Sequence, residues 1–275
     1  KLTDDLLKEF NVKTIWYNPN KFEDLKNKIS KKTKLIYVEN PGSNTFEFQD
    51  LGKILSLAKR NNICTAIDNT WGTPYFLKPI KLGFDLSIVS ATKYYSGHSD
   101  VMGGSLAVSK KVFKKVLQAQ NMTGSRLSPD DAYFIMRGIR TLDVRLDKHQ
   151  QNAKQIAKFL STKKNIEVLY PLKKNTKNYK LWNKYYSGSS GLMGIKITAK
   201  NKKSVDKFVN SLKLFGHGYS WGGYESLALH QQIKEQGNRK FIKLRKNEHI
   251  VRLHIGLEDS KDLIQDLRKS LKFIK

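Results

Sequence analysis

The 275-residue chain has one cysteine, Cys64, so it forms no internal disulfide, and that scarcity fits a reducing compartment. No apolar run approaches the ~18–20 residues of a membrane-spanning helix, which removes a transmembrane reading. Lys1 to Phe10 carries no apolar signal core, and the chain reads as cytoplasmic. It opens on Lys1 rather than Met, which leads us to expect part of a longer protein. Acidic residues are also few, 24 against 51 basic ones, for a net charge of +27. Taken alone, that surplus suggests nucleic acid, a membrane surface or acidic ligands. Arginine is scarce, however, with nine residues against forty-two lysines spread along the chain. Nucleic-acid readers lean on Arg for bidentate base contacts, and the sequence has no paired Cys/His finger. The charge therefore reads as a solvated lysine surface. A non-catalytic basic protein that binds nucleic acid is the alternative.

Hydrophobic residues at 39% and aromatics at 11% suffice for a folded core in one large domain or two. Lys34–Val38, Ile63–Ile67, Leu86–Val89 and Ser105–Val108 read as strands. Gln49–Arg60 has helical spacing at Leu51, Ile54, Leu55 and Ala58. Alternating strands and helices predict an α/β domain around a mixed, mostly parallel sheet, with its chemistry beyond the carboxyl ends of the strands. Glu39, Asp68 and Ser90 fall at those ends. Ser128-Pro129-Asp130-Asp131 has the cap, the first-position proline and the first-turn acids of a helix start. Apolar positions from Ile135 to Leu160 then predict one long helix tying two domains, with His149 as a structural residue on it. Strands at Ile166–Tyr170, Leu192–Ile197 and Val251–Ile255, with helices at Lys203–Leu212 and Lys261–Phe273, predict a smaller α+β domain. The expected division is residues 1–139 and residues 140–275.

Lys93 follows a strand end closely, near the hydroxyls of Ser90 and Thr92. A nucleophilic lysine must be partly neutral, which takes desolvation or a cationic neighbour. Hydroxyls so near it could hold a phosphate. Asp68 ends a neighbouring strand one crossover away, where a buried carboxylate could pair with a protonated ring nitrogen. A lysine, a carboxylate and phosphate donors are the recurring parts of a pyridoxal phosphate site.

Ser90-Ala91-Thr92-Lys93-Tyr94 with Gly97-His98-Ser99-Asp100 resembles the cofactor-lysine signature of the Cys/Met-metabolism family of pyridoxal phosphate enzymes. Glu39-Asn40-Pro41-Gly42-Ser43 and Asp68-Asn69-Thr70-Trp71 resemble its upstream motifs. Tyr219 to Leu227 and Val251 to Asp259 resemble its later ones, so five motifs run in order along the chain. Within the family, Trp221 with Tyr224, Ser43 and His254 are closest to the bacterial cystathionine β-lyase branch. The resemblance implies an α/β fold-type-I transferase (aspartate aminotransferase-like) large domain with a smaller α+β C-terminal domain. Its implied cofactor is pyridoxal 5'-phosphate and it implies no metal. Lys93 would hold the cofactor covalently, Asp68 would keep its ring nitrogen protonated, and Ser90 and Thr92 would bind its phosphate. Arg252 would clamp the α-carboxylate of an amino-acid substrate, helped by Ser220 and Trp221. The Lys93 amine would remove the Cα proton and protonate the departing thiolate. The implied activity is cleavage of L-cystathionine to homocysteine, pyruvate and ammonia in methionine biosynthesis, by a homotetramer with active sites shared between subunits. Sister activities are the alternatives: cystathionine γ-synthase, methionine γ-lyase or O-acylhomoserine sulfhydrylase.

Plainer readings stand beside these. Arg252 alone is equally an ordinary surface ion pair. His98-Ser99-Asp100 reads as a turn, because adjacent residues do not converge as members of a catalytic triad do. Trp221 and Tyr224 serve equally as core aromatics, against which Gly222-Gly223 argues for a shaped loop. Cys64 reads as a small hydrophobe in a buried strand. The family's N-terminal segment, with its glycine turn at a helix start, its ring-stacking aromatic and the Tyr and Arg that reach a neighbouring subunit, has no match here. The 275 residues as given are expected to bind pyridoxal phosphate weakly and turn over poorly.

Overall fold

A computed structural model describes residues 5–233, 241 and 243–274; the first four residues of the segment read for a signal core lie outside that range. Two helices, α1 (Leu7–Glu9) and α2 (Phe22–Lys28), precede strand β1 (Leu35–Glu39). Alternation buries Ile36 and Val38 of β1 and leaves Leu35 and Tyr37 outward. Asp50 caps α3 (Leu51–Arg60) by accepting the Lys53 N–H at 3.2 Å, and the helix buries Leu51, Ile54, Leu57 and Ala58. The chain returns as β2 (Cys64–Asp68), parallel to β1. Two short proline-bearing helices, α4 (Thr73–Phe76) and α5 (Pro79–Leu82), cross to β3 (Leu86–Ser90), parallel to β2. Strand β4 (Gly104–Val108) then lies antiparallel to β3. The spatial order is β1-β2-β3-β4, the mixed and mostly parallel sheet that the sequence predicts.

Asp85 fastens the start of this sheet. Its Oδ2 accepts from the Thr65 N–H at 3.0 Å and the Thr65 hydroxyl at 3.2 Å, and its Oδ1 accepts from the Ser109 hydroxyl at 3.4 Å. Its own N–H donates to Thr65 Oγ1 at 3.1 Å. Cys64, at the start of β2, is half-buried, and burial together with Asp85 pushes its thiol pKa up.

Helix α6 (Phe113–Thr123) leads to α7 (Pro129–Ile139), which Ser128 caps as expected by accepting the Asp131 N–H at 3.0 Å. The single long helix predicted here is two, because α8 (Leu142–Ser161) starts after a break at Arg140-Thr141. The break has a side-chain cause. Arg145 Nε donates to the Thr141 hydroxyl at 3.0 Å and its Nη2 to the Gly138 carbonyl at 2.5 Å, so one carbonyl that would continue α7 is taken. We propose the boundary between the two domains at this break, after Ile139.

Beyond α8, β5 (Ile166–Leu169), α9 (Lys177–Tyr185), β6 (Leu192–Thr198), α10 (Lys202–Asn210), β7 (Gly216–His217), β8 (Leu227–Gln231) and β9 (Glu248–His254) follow in turn. Helix α11 (Ser260–Ser270) and a 3-10 turn (Leu271–Ile274) close the described chain. The second sheet has the order β5-β6-β9-β8-β7, antiparallel except for β7 beside β8. One apolar core joins the two sheets. The Trp71 indole donates to the Leu192 carbonyl at 2.9 Å, and the rings of Phe48, Trp71 and Tyr186 meet edge to face with centroids 5.6–5.8 Å apart. Among the described residues no helix is long and apolar enough to cross a membrane.

Candidate active site

The register of the first sheet pairs Glu39 with Asp68 and Asp68 with Ile88, so the carboxyl ends of β1, β2 and β3 form one edge. Glu39, Asp68, Thr70, Ser90, Lys93 and Trp221 line a cleft of about 160 Å³ there. This is the edge where an open α/β sheet gathers ligands, since side chains there leave the ladder while the backbone stays fixed. Burial pushes the Glu39 carboxyl pKa up, against the Ser43 N–H that donates to it at 3.0 Å. Asp68 is half-buried and accepts the Thr70 N–H at 2.9 Å.

Lys93 stands on a tight turn that leaves β3. Its N–H donates to the Ser90 carbonyl at 3.1 Å, and its carbonyl accepts the Gly97 N–H at 2.8 Å. The turn is fastened from beneath by Arg145, which donates to the Tyr94 carbonyl at 2.9 Å. Gly97 permits that approach: its φ is +70°, and a Cβ would come within 2.0 Å of Arg145 Nη1. Burial, and then the Arg252 guanidinium, push the Lys93 pKa down, the direction a nucleophilic amine needs.

The opposite side of the cleft comes from the second sheet. Lys93 Nζ donates to Ser220 Oγ at 2.8 Å and lies 5.6 Å from the centre of the Trp221 ring. Arg252, on β9, is buried and donates to the Tyr219 carbonyl. His254 follows on the same strand face, 1% exposed, and burial holds its pKa down at about 4. His149 is fully buried behind it, with Nδ1 2.7 Å from the Ile255 carbonyl and the two imidazole centres 5.1 Å apart.

Of the residues singled out in the sequence, the fold therefore brings Lys93, Asp68, Ser90 and Trp221 to one cleft, with Ser220 bonded to the Lys93 amine and Arg252 acting on its charge. The Thr92 side chain is engaged at Gly103. Its hydroxyl accepts the Gly103 N–H at 2.9 Å and lies 3.3 Å from the Gly103 carbonyl, tying the Lys93 turn to the approach of β4. Ser43 brings a further hydroxyl to the cleft, as does Thr70, which accepts the Ser90 N–H at 2.8 Å. Its place two residues beyond the Asp68 strand end was the available signal. Glu39 was read as a strand end but given no role, and it lines the cleft as well. His98 is the turn residue expected, with Nδ1 2.6 Å from the Ser96 carbonyl. The adjacent Ser99 instead donates to Glu225 at 2.7 Å. The donor set fits pyridoxal phosphate: an amine of depressed pKa for its aldehyde, a strand-end carboxylate for its ring nitrogen, and the hydroxyls of Ser90 and Thr70 for its phosphate.

Comparison with known proteins agrees. The model of the family described as Cys/Met metabolism PLP-dependent enzyme matches residues 1–272. A protein of Rhizobium johnstonii named putative cystathionine beta-lyase is 36% identical over 97% of this chain and 68% of its own length. A cystathionine gamma-lyase of Bacillus subtilis is 33% identical over 98% of this chain and 72% of its own. The crystal structure of metB from Corynebacterium glutamicum superposes with a TM-score of 0.89 at 31% identity, covering 100% of this chain and 71% of that one. The shared fold is the fold-type-I α/β architecture, and pyridoxal phosphate is the family's cofactor. The chain belongs to the Cys/Met metabolism PLP-dependent enzyme family.

Proposed function

We propose that the protein is a carbon–sulfur lyase that cleaves L-cystathionine by β-elimination to homocysteine, pyruvate and ammonia, serving methionine biosynthesis in the cytoplasm. The observation that carries this reading is Lys93: a partly buried amine of lowered pKa, bonded to Ser220, across one cleft from Asp68. When bound, pyridoxal phosphate supplies an electron sink that acidifies the Cα–H of an amino acid. Lys93 is the residue to hold it, with Asp68 at its ring nitrogen and Ser90 and Thr70 at its phosphate. Arg252 fixes the substrate α-carboxylate as a planar fork, an orientation lysine does not enforce. With the carboxylate held, the neutral Lys93 Nζ removes the Cα proton and delivers it to the sulfur as the Cβ–S bond breaks. Water then converts the three-carbon fragment to pyruvate and ammonia.

Trp221, Tyr224, Ser43 and His254 support the β-lyase branch, as does the name of the Rhizobium relative. The Bacillus relative's name supports γ-elimination as the second reading. Family membership favours catalysis over nucleic-acid binding. We include the homotetramer with shared active sites in the proposal, supported by apolar side chains left exposed on the first sheet and near α6 and α7, among them Tyr37, Met102, Leu106 and Met122. The deciding experiment gives the purified protein pyridoxal phosphate and L-cystathionine and identifies the 2-oxo acid by mass. Pyruvate supports β-elimination, 2-oxobutyrate moves the protein to the γ-branch, and neither product under saturating cofactor removes the lyase reading.

A further inference from the structure

Arg252 and His254 are two residues apart on β9 and so share a face. Both engage the loop 219–223. Arg252 donates to the Tyr219 carbonyl, while His254 Nε2 lies 3.1 Å from the Gly222 nitrogen and 3.0 Å from the Gly223 oxygen. Burial keeps the imidazole neutral at pH 7, so Nε2 holds the turn through one of these two partners, accepting the Gly222 N–H or donating to the Gly223 carbonyl according to its tautomer. Gly222 is the point at which the loop touches Lys93. Its φ is +88°, and a Cβ there would stand 2.9 Å from the Cα and Cβ of Lys93. Next to it, Ser220 accepts from Lys93 Nζ and Trp221 presents its ring to that amine. Imidazole, turn and lysine form one unbroken line of contacts.

We propose that His254 is a positioning residue for Lys93: it pins the Gly222-Gly223 turn, and the pinned turn holds Ser220 and Trp221 against the lysine amine. This rests on the reading of Lys93 as the reactive amine and adds the part that fixes its surroundings. The charged and titratable groups around that amine are Arg252 and His254 on β9, Tyr219 in the loop, and Glu39 and Asp68 at the ends of β1 and β2. A leucine at 254 would fill the volume but leave the Gly222-Gly223 turn without its side-chain hydrogen bond, and the turn would lift. Glutamine reaches as far as Nε2 and offers both a donor and an acceptor; asparagine is polar but too short.

The test measures how readily Lys93 is methylated by formaldehyde and cyanoborohydride as pH varies, read by peptide mass spectrometry on protein without added cofactor. In the native chain Lys93 should reach half-labelling at a lower pH than the exposed lysines. His254→Leu should raise that midpoint by ~0.5 unit or more as water reaches the amine, and His254→Gln should restore it. With pyridoxal phosphate and L-cystathionine, His254→Leu should lower kcat roughly tenfold while KM changes less than about threefold. If His254→Leu does not fold, His254→Asn takes its place with the same expectations. An unmoved midpoint in a folded variant, or a glutamine variant as impaired as leucine, overturns the proposal. A native enzyme that releases no 2-oxo acid while Lys93 shifts as expected overturns the lyase reading and leaves this one standing.

Discussion

The two sides of the cleft are built by different means. On the first-sheet side, Glu39, Asp68 and Ser90 end strands whose backbone ladder holds them in register. On the other side, the loop 219–223 lies between β7 and β8, outside both, and hangs from β9 by Arg252 and His254. Residues placed by a ladder keep their positions when a neighbour is changed. Residues placed by side-chain contacts do not. Substitutions on the first side should therefore remove chemistry and leave the fold alone, whereas those on the second should change the geometry around Lys93 and the substrate.

The largest expected effect is on the first side. Lys93→Ala should lower lyase activity by roughly 10³-fold or more with an unchanged melting temperature, and intact mass after borohydride should show no captured cofactor. A comparable loss of stability would break the contrast. The second effect is of pH and belongs to the imidazoles behind the loop. Burial holds His149 at about 3 and His254 at about 4, so the unfolded chain takes up protons before the folded one as pH falls below about 6.5. The stability these neutral rings contribute is present at pH 7 and lost on the way down to their folded values, at about 2 kcal/mol each by pH 5. Urea unfolding at pH 7 and 5 measures it, and His149→Gln should flatten the slope. Third, Arg252→Ala should raise KM by ~10–100-fold, the worth of a charge-assisted fork, with a smaller change in kcat in steady-state assays. The smallest effect falls where the sides touch. Gly222→Ala should cost about 1–2 kcal/mol for its left-handed φ, read by urea midpoint, with kcat falling because the new Cβ presses on Lys93.

Short apolar runs and helical spacing made β1 to β6, β9, α3, α8, α10 and α11 legible within a few residues, because all of them but β4 bury side chains in the core. Helices α4 and α5 were not, since each is a single short turn begun near proline. Strand β8 was missed because Leu227–Gln231 carries two polar residues and follows a glycine-rich stretch. Merging α7 with α8 had another cause: spacing continues across Arg140-Thr141, whereas the break is imposed by Arg145, a tertiary contact no period reports. At the site, strand ends located Asp68, Ser90 and Lys93. That Thr92 bonds at Gly103 while Thr70 accepts the Ser90 N–H depends on where those groups lie in space, and only the fold supplies that.

Asp85 joins β2, β3 and the end of β4 at the edge opposite the cleft. From Asp85 to Ser90 is about 16 Å of extended chain, so the working edge is the free end of a sheet clamped at the other. A one-residue slip between β2 and β3 would turn every following side chain to the wrong face, and this carboxylate, bonded to Thr65 one step before the β2–β3 ladder begins, selects against it. The alignment of Asp68 with the Lys93 turn is thus an inheritance from a residue that never meets the ligand. Variation in the loops around the cleft can then retune what is bound while the spacing between ring partner and amine stays constant.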